Sequence, residues 1–497
     1  MNRNALGVRL GLGKIASAHF FLAVGIILLG LLPHSLSAQG TEDEGALLEL
    51  ATQSWKGDYE EMRARGFIRV LTVYNPLFFH YDGAEQKGIG HEIMQAFSEK
   101  LNEGRPKGTP PIRILHIPVA RDRLLPDLLA GKGDIVAANM TITPERQATV
   151  QFSDPSYPDV SELVVTGPSS PDIASFDDLV EIGLHLRESS SYFEHLEALN
   201  EKRDSASQAT IPIKKADERL EDYDLLEMVN AGMIPAIIVD SHKVAFWAQI
   251  FDKIKVHENL SVNEGGDIAW AIRKDNPQLL SEINDFLKGA RKGTLLGNVI
   301  LKRYTNNAKW VENALSGDGW QRYQDTLELI KKYSAEYDFD WLMIMAQAYQ
   351  ESKLDQSKVS HVGAVGIMQV MPTTAADPIV GIPDINDPDS NVHAGVKYLR
   401  WLRETYFNAS EIDPVDQVLF SFAAYNAGPG GIRKARKRAE KAGFNPNRWF
   451  GHVEVATAKA ISQEPVIYVR NIYKYYVTYK LYEDEKAERE AAKAEQD

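Results

Sequence analysis

Apolar and polar positions alternate in two different ways along this chain, and the change divides it. From about residue 57 to 304, short β-branched runs alternate with amphipathic stretches. Ile68–Tyr74, Ile112–Ile117 and Gly133–Ala138 are dense in valine and isoleucine and predict strands. Glu92–Leu101 and Arg123–Ala130 space their apolar residues as helices do. This alternation predicts α/β units around a largely parallel sheet. Beyond residues 306–316, a polar junction, the spacing is helical to the end. The expected helices are Thr326–Tyr337, Trp341–Tyr349, Val392–Tyr406, Val415–Tyr425 and Tyr468–Tyr482. Residues 483–497 are a charged tail, expected to fray.

The start of the chain has a third pattern. Arg3, Arg9 and Lys14 precede the apolar run Phe20–Leu32, Pro33 breaks it, and small residues follow to Ala38. Residues 1–38 therefore read as a secretory signal, and the protein as exported. An uncleaved anchor is the rival reading, although the run falls short of the roughly 20 residues a span needs. Residues 39–56 form an acidic lead-in.

Composition narrows the function. A length of 497 residues implies more than one domain. A formal charge of −14 argues against nucleic acid or an anionic membrane as the main partner. Without cysteine there is no disulfide, thiolate nucleophile, cysteine metal site or acylated cysteine anchor. His91-Glu92-Ile-Met-Gln95 lacks the second histidine of a zinc protease, and Gly88-Ile-Gly90 lacks the third glycine of a dinucleotide loop. No metal and no cofactor are expected.

One acid stands out. The apolar stretch Trp341–Tyr349 runs into Glu351, followed by the glycine-rich turn Gly363–Gly366 and a second apolar segment ending at Met371-Pro372. A carboxyl group at the edge of an apolar wall has its charged form disfavoured. It can then hold a proton near neutral pH and donate it. The same pattern equally describes a helix-end glutamate facing water.

Resemblance separates these readings. Glu351-Ser352, Ser360 and Gly363-Ala-Val-Gly-Ile-Met-Gln-Val-Met-Pro-Thr-Thr-Ala375 resemble, without a gap, the signature of the soluble-lytic-transglycosylase domain, a lysozyme-like fold that cuts peptidoglycan. Ala424-Tyr-Asn-Ala-Gly428 matches its second motif, and Glu464-Pro-Val-Ile-Tyr-Val469 resembles its third, with Pro465 where threonine is usual. Asn391, Gly395 and Tyr398-Leu399 also fit. The resemblance implies Glu351 as catalytic acid, with Ser360, Gln369, Met371, Tyr425 and Asn426 lining a sugar groove and Tyr468 orienting Glu351. For each, packing is the alternative. No second carboxylate matches, and an ordinary glycosidase needs two. The implied reaction is therefore non-hydrolytic cleavage of the MurNAc–GlcNAc bond, leaving 1,6-anhydro-MurNAc ends. The basic stretch Arg433–Lys441 reads as a solvated helix face.

The preceding region resembles the amino-acid-type periplasmic solute-binding proteins. Leu129-Ala-Gly-Lys-Gly-Asp-Ile135, Met140-Thr-Ile-Thr-Pro-Glu-Arg146 and Phe152-Ser-Asp-Pro155 carry the match. The resemblance implies two α/β lobes closing on a ligand. Arg146 would clamp an α-carboxylate and Asp240 hold an α-amino group. As alternatives, Arg146 caps a helix and Asp240 starts a turn. Arg187-Glu-Ser-Ser-Ser-Tyr192 departs from the family's Gly-Thr or Gly-Ser ligand loop. Phe78, Phe79 and Tyr81 are cleft or core aromatics.

The expected architecture is multidomain. A two-lobed α/β periplasmic-binding-protein fold (57–305) precedes a mostly α, lysozyme-like domain (306–482), an order that resembles the membrane-bound lytic transglycosylase F group. The expected partners are peptidoglycan glycan strands and an amino acid or muropeptide in the N-terminal domain that modulates cleavage. A periplasmic location with peripheral contact at the inner face of the outer membrane, and no nucleic acid, complete the expectation. The rival is an exported sensor whose lysozyme-like domain only binds glycan.

Overall fold

The computed structural model describes residues 53–82, 85–106, 108–305, 318–441, 443–462 and 464–494. The expected signal, most of the acidic lead-in and the junction 306–316 lie outside the described residues.

The N-terminal half is built on one sheet. Its strands are β1 (Phe67–Thr72), β2 (Arg113–Pro118), β3 (Ile135–Thr141), β4 (Tyr157–Thr166), β5 (Ala236–Asp240) and β6 (Lys255–Ile272), in spatial order β5-β4-β6-β3-β1-β2. Gln151–Phe152 also pairs with β6. All six residues of β1 are buried, including Arg69, which meets Asp134 at 2.8 Å. A strand covered on both faces is expected to be almost wholly apolar, and β1 departs from that only at Arg69 and Thr72.

The sheet is mixed rather than largely parallel. β1 runs parallel to β2 and β3, but β6 is antiparallel to both β3 and β4, and β5 to β4. The cause is connectivity. The chain leaves the first lobe along β4 and returns along β6, whose 18 residues pair with β4 at one end and β3 at the other. The first lobe thus holds β1–β3 with helices α1 (Ile89–Asn102) and α5 (Pro277–Ala290). The second holds β5 with α2 (Ser191–Ser205), α3 (Asp222–Asn230) and α4 (Ser241–Trp247). Helix α6 (Leu295–Thr305) follows.

The C-terminal half is helical. Its elements are α7 (Asp318–Glu336), α8 (Trp341–Ser352), α9 (Pro388–Leu402), α10 (Pro414–Ala427), α11 (Pro429–Lys441) and α12 (Glu464–Ala494). The centre is α8, buried continuously from Leu342 to Tyr349. Asp340 caps its start, accepting from the Leu342 amide at 2.9 Å. The charged tail does not form a separate segment: α12 continues through it to Ala494. Residues 483–494 are rich in glutamate, lysine and alanine, all strong helix formers.

The halves meet along α3 and α12. Lys474 lies 3.3 Å from Asp224 and 3.7 Å from Glu227. Arg219 donates to the Tyr473 hydroxyl at 3.1 Å. No helix among the described residues is long and apolar enough to cross a membrane.

Candidate active site

Glu351 sits in the last turn of α8, where the buried apolar face ends. The helix then stops abruptly. Lys353 and Leu354 both take left-handed backbone, with φ of 60° and 61°. Such conformations are costly for side-chain-bearing residues and persist only where surroundings impose them. Ser352, next to the acid, is fully buried and donates to the Ile367 carbonyl at 2.9 Å. The helix end is thereby tied to the glycine-rich loop.

That loop is held by Asn391 of α9. The Asn391 side chain accepts from the Met368 amide at 2.8 Å and donates to the carbonyls of Val365 and Ile385. Gly366, at φ 78°, makes room for it: a Cβ there would lie 2.5 Å from Asn391 Nδ2. Gly395 matters in the same way, because a Cβ would press on Met368 at 2.6 Å.

Among the described residues, the groups that act on Glu351 are phenols and not charges. Tyr468 donates to Glu351 Oε1 at 2.5 Å. Tyr425 donates to the Met368 carbonyl at 2.8 Å and lies close enough for the carboxylate to raise its own pKa. Burial pushes Glu351 up to about 7, and the Tyr468 hydrogen bond pulls the other way. A group poised there can give a proton and take one back at neutral pH.

The remaining sequence-predicted groove residues divide. Asn426 is exposed beside Tyr425, and Met371 is half-buried at the start of a short helix. Ser360 and Gln369 are occupied within the loop. Ser360 Oγ accepts from the Ala364 amide at 2.9 Å, and Gln369 donates to the Gly366 carbonyl at 2.8 Å. Gln347, unforeseen in the sequence, reaches the site from inside α8 and donates to the Tyr468 hydroxyl at 3.1 Å. Its signal was a lone polar residue in an apolar helix.

The N-terminal candidates lie between the lobes, each with a partner from the chain itself. Arg146 meets Glu194 at 2.9 Å and donates to the carbonyls of Thr141 and Ser189 at 3.0 Å. Glu194 thus holds the place the resemblance reserves for a ligand carboxylate. Asp240 meets Lys243 Nζ at 2.7 Å, so an ammonium of the chain stands where an α-amino group was expected. Lys243 also reaches Asp222 at 2.6 Å, Arg187 meets Asp222 at 2.5 Å, and Arg121 bridges the lobes to Glu221 at 2.7 Å. Ser190, in the departing loop, caps α2 by accepting from the Phe193 amide. Phe79 is buried against His116, while Phe78 lines a cavity of about 420 Å³ with Tyr157, His242 and Trp270. Neither Arg146 nor Asp240 lines that cavity. The Tyr81 side chain lies outside the described residues.

Comparison with known proteins agrees with this division. Residues 68–306 match the family model of bacterial extracellular solute-binding proteins, family 3, and residues 328–447 that of the transglycosylase SLT domain. A membrane-bound lytic murein transglycosylase F of Pseudomonas fluorescens is 30% identical over 441 residues, covering 84% of this chain and 85% of its own. The protein of the same name from Desulfosudis oleivorans is 28% identical, covering 85% of this chain and 93% of its own. A solved ancestral arginine-binding protein bound to arginine is 24% identical, covering 48% of this chain and 98% of its own, with a TM-score of 0.40.

Proposed function

The chain belongs to the membrane-bound lytic murein transglycosylase F family, and from that premise we propose that Glu351 is its acid and its base. The protein is a peptidoglycan lytic transglycosylase, a lyase that cuts the β-1,4 bond between MurNAc and GlcNAc. The observation that carries the assignment is a partly buried carboxyl group beside the phenols of Tyr468 and Tyr425, with its pKa raised to about 7.

The steps follow from one carboxyl group. Protonated Glu351 gives its proton to the glycosidic oxygen, and the bond from MurNAc C1 to that oxygen breaks. GlcNAc leaves with a 4-hydroxyl group. The MurNAc 6-hydroxyl attacks C1, and its proton passes to the Glu351 carboxylate. The product is a 1,6-anhydro ring, no water is consumed, and the acid is restored. Attack from within the same sugar has a high effective concentration and needs no second carboxylate to activate water. Tyr468 holds the carboxyl group in place, while Tyr425, Asn426 and Met371 border the groove. Ser360 and Gln369 act by shaping the loop beneath it.

The N-terminal domain is the regulatory module in this reading. An amino acid or muropeptide stem would enter between the lobes and displace Glu194 from Arg146 and Lys243 from Asp240. The Lys474 contacts with Asp224 and Glu227 would carry the change to α12. The working place is the periplasm, at the inner face of the outer membrane.

The test is digestion of purified peptidoglycan by the wild type and Glu351→Gln, with mass spectrometry of the products. Anhydro-MurNAc ends from the wild type and none from the variant are expected. Reducing MurNAc ends would make the protein a hydrolase, and equal cleavage by both would remove Glu351 from the chemistry. Muropeptides that leave the wild-type rate unchanged would sink the regulatory reading alone.

A further inference from the structure

One buried polar side chain at the site has no role in the reaction as described. Gln347 lies one turn before Glu351 on α8, fully buried within the apolar run Leu342–Tyr349. Burying an amide in such surroundings is unfavourable unless it is hydrogen-bonded. Among the described residues its buried Oε1 has no hydrogen-bond partner, so the amide's position is not explained by satisfying both of its ends. Its Nε2 donates to Tyr468 Oη at 3.1 Å.

A phenol hydroxyl has one proton to give and an oxygen that accepts. With an N–H already directed at that oxygen, the phenol's own proton is left for Glu351 Oε1, 2.5 Å away. Amide, phenol and carboxyl group therefore form a chain with a direction. We propose that Gln347 is a positioning residue for the cleavage reaction, holding Tyr468 as a donor to Glu351. It acts on the acid only through the phenol. This inference rests on Glu351 being the acid, as proposed above.

The direction of the chain has a measurable consequence. An oxygen that accepts one hydrogen bond becomes a better donor in the next. Donation to Glu351 favours its carboxylate form and opposes the upward push of burial. Without the amide, the phenol can turn and accept from a protonated Glu351, which favours the neutral form. Among the described residues the titratable groups that face Glu351 are Tyr468 from α12 and Tyr425 from α10, both neutral phenols with pKa values raised well above normal by burial first and by Glu351 second. The alkaline limb of the activity profile thus reads this chain directly.

The experiment compares full-length wild type and Gln347→Met by the pH dependence of kcat/KM, scored as anhydro ends released from soluble peptidoglycan fragments. The alkaline limb is expected to move up by about half to one pH unit, with a roughly three- to tenfold lower maximum. Tyr468→Phe is expected to move the limb the same way, and Gln347→Met to add nothing in the Tyr468→Phe background. Gln347→Asn, one methylene short, should match Gln347→Met, and it decides the matter if the methionine variant does not fold. A limb that stays in place in a folded variant, or losses that add in the double variant, overturns the proposal. A wild type without anhydro products, or an active Glu351→Gln, instead overturns the assignment of the acid on which it stands.

Discussion

Glu351 and Asp222 are both carboxyl groups removed from water, and their surroundings differ in kind. Glu351 lies against the apolar end of α8 with a phenol as its partner. Asp222 lies among Arg187, Lys243 and the Tyr192 hydroxyl, at 2.5, 2.6 and 3.1 Å. Burial alone would raise both pKa values. For Asp222 that push is outweighed by Lys243, Arg187 and Arg121 together, which hold it well below the usual carboxylate range. For Glu351 nothing cationic among the described residues opposes burial, and the value rises to about 7. The same residue chemistry thus gives a fixed ion in one cleft and an exchangeable proton in the other. Desolvation makes a carboxyl group reactive only where the protein withholds a countercharge.

The comparison can be pressed experimentally. The largest effect is expected at the paired cluster. Asp222→Asn leaves Arg187 and Lys243 buried without their shared anion and should lower the stability of the N-terminal half by about 3–5 kcal/mol, read by urea unfolding. A wild-type-like midpoint would mean the cluster is hydrated and the contrast is weaker than drawn. Next, Gly366→Ala forces a Cβ onto Asn391 and demands φ 78° of alanine. A cost of about 1–3 kcal/mol in the C-terminal transition, with loss of activity, is expected. Unchanged activity would show that the loop need not be held for Glu351 to work.

The third effect is a pH slope. Glu351 has a folded value above its ordinary 4.5. The folded protein therefore keeps a proton that the unfolded chain releases. The stability this gives is full below about 4.5 and is lost as pH rises to about 7. Glu351→Gln should flatten that part of the stability profile, and a slope retained in the variant would assign it to another group. The smallest effect belongs to the contact between the halves. Burial first, against the pull of Lys474, raises Asp224 to about 6. Asp224→Asn should cost about 1 kcal/mol and speed proteolysis near α12. A digestion pattern identical to wild type would leave the docking to Glu227 and Arg219.

Much of the site was legible, for identifiable reasons. Glu351 stood at the edge of an apolar helix, a position it shares with any helix-end glutamate, and it was the motif that singled it out as a candidate together with Tyr425 and Tyr468. The helices around α8 were legible because their apolar spacing is regular. What stayed hidden depended on distance in sequence. Glu194 is far from Arg146 in the chain, and no local pattern says that one will neutralise the other. The antiparallel course of β6 was hidden because its burial does not follow a single period: one strand serves two lobes. Gln347 was hidden by its neighbours, since one amide in an apolar helix changes the periodicity little. Ser360 and Gln369 were visible as motif residues, but their hydrogen bonds within the loop could be seen only in three dimensions.

The long helix α12 ties these observations together as a matter of phase. Tyr468, facing the acid, and Lys474, facing the other half of the molecule, stand six residues apart on it. At about 100° per residue their directions differ by roughly 240°, so each face of the helix is committed to a different neighbour. A single residue inserted between them would turn one face away from its neighbour whatever its side chain. In this stretch the two halves can tolerate substitution but not a change of length, and Tyr468 and Lys474 are bound to vary, if at all, without shifting in register.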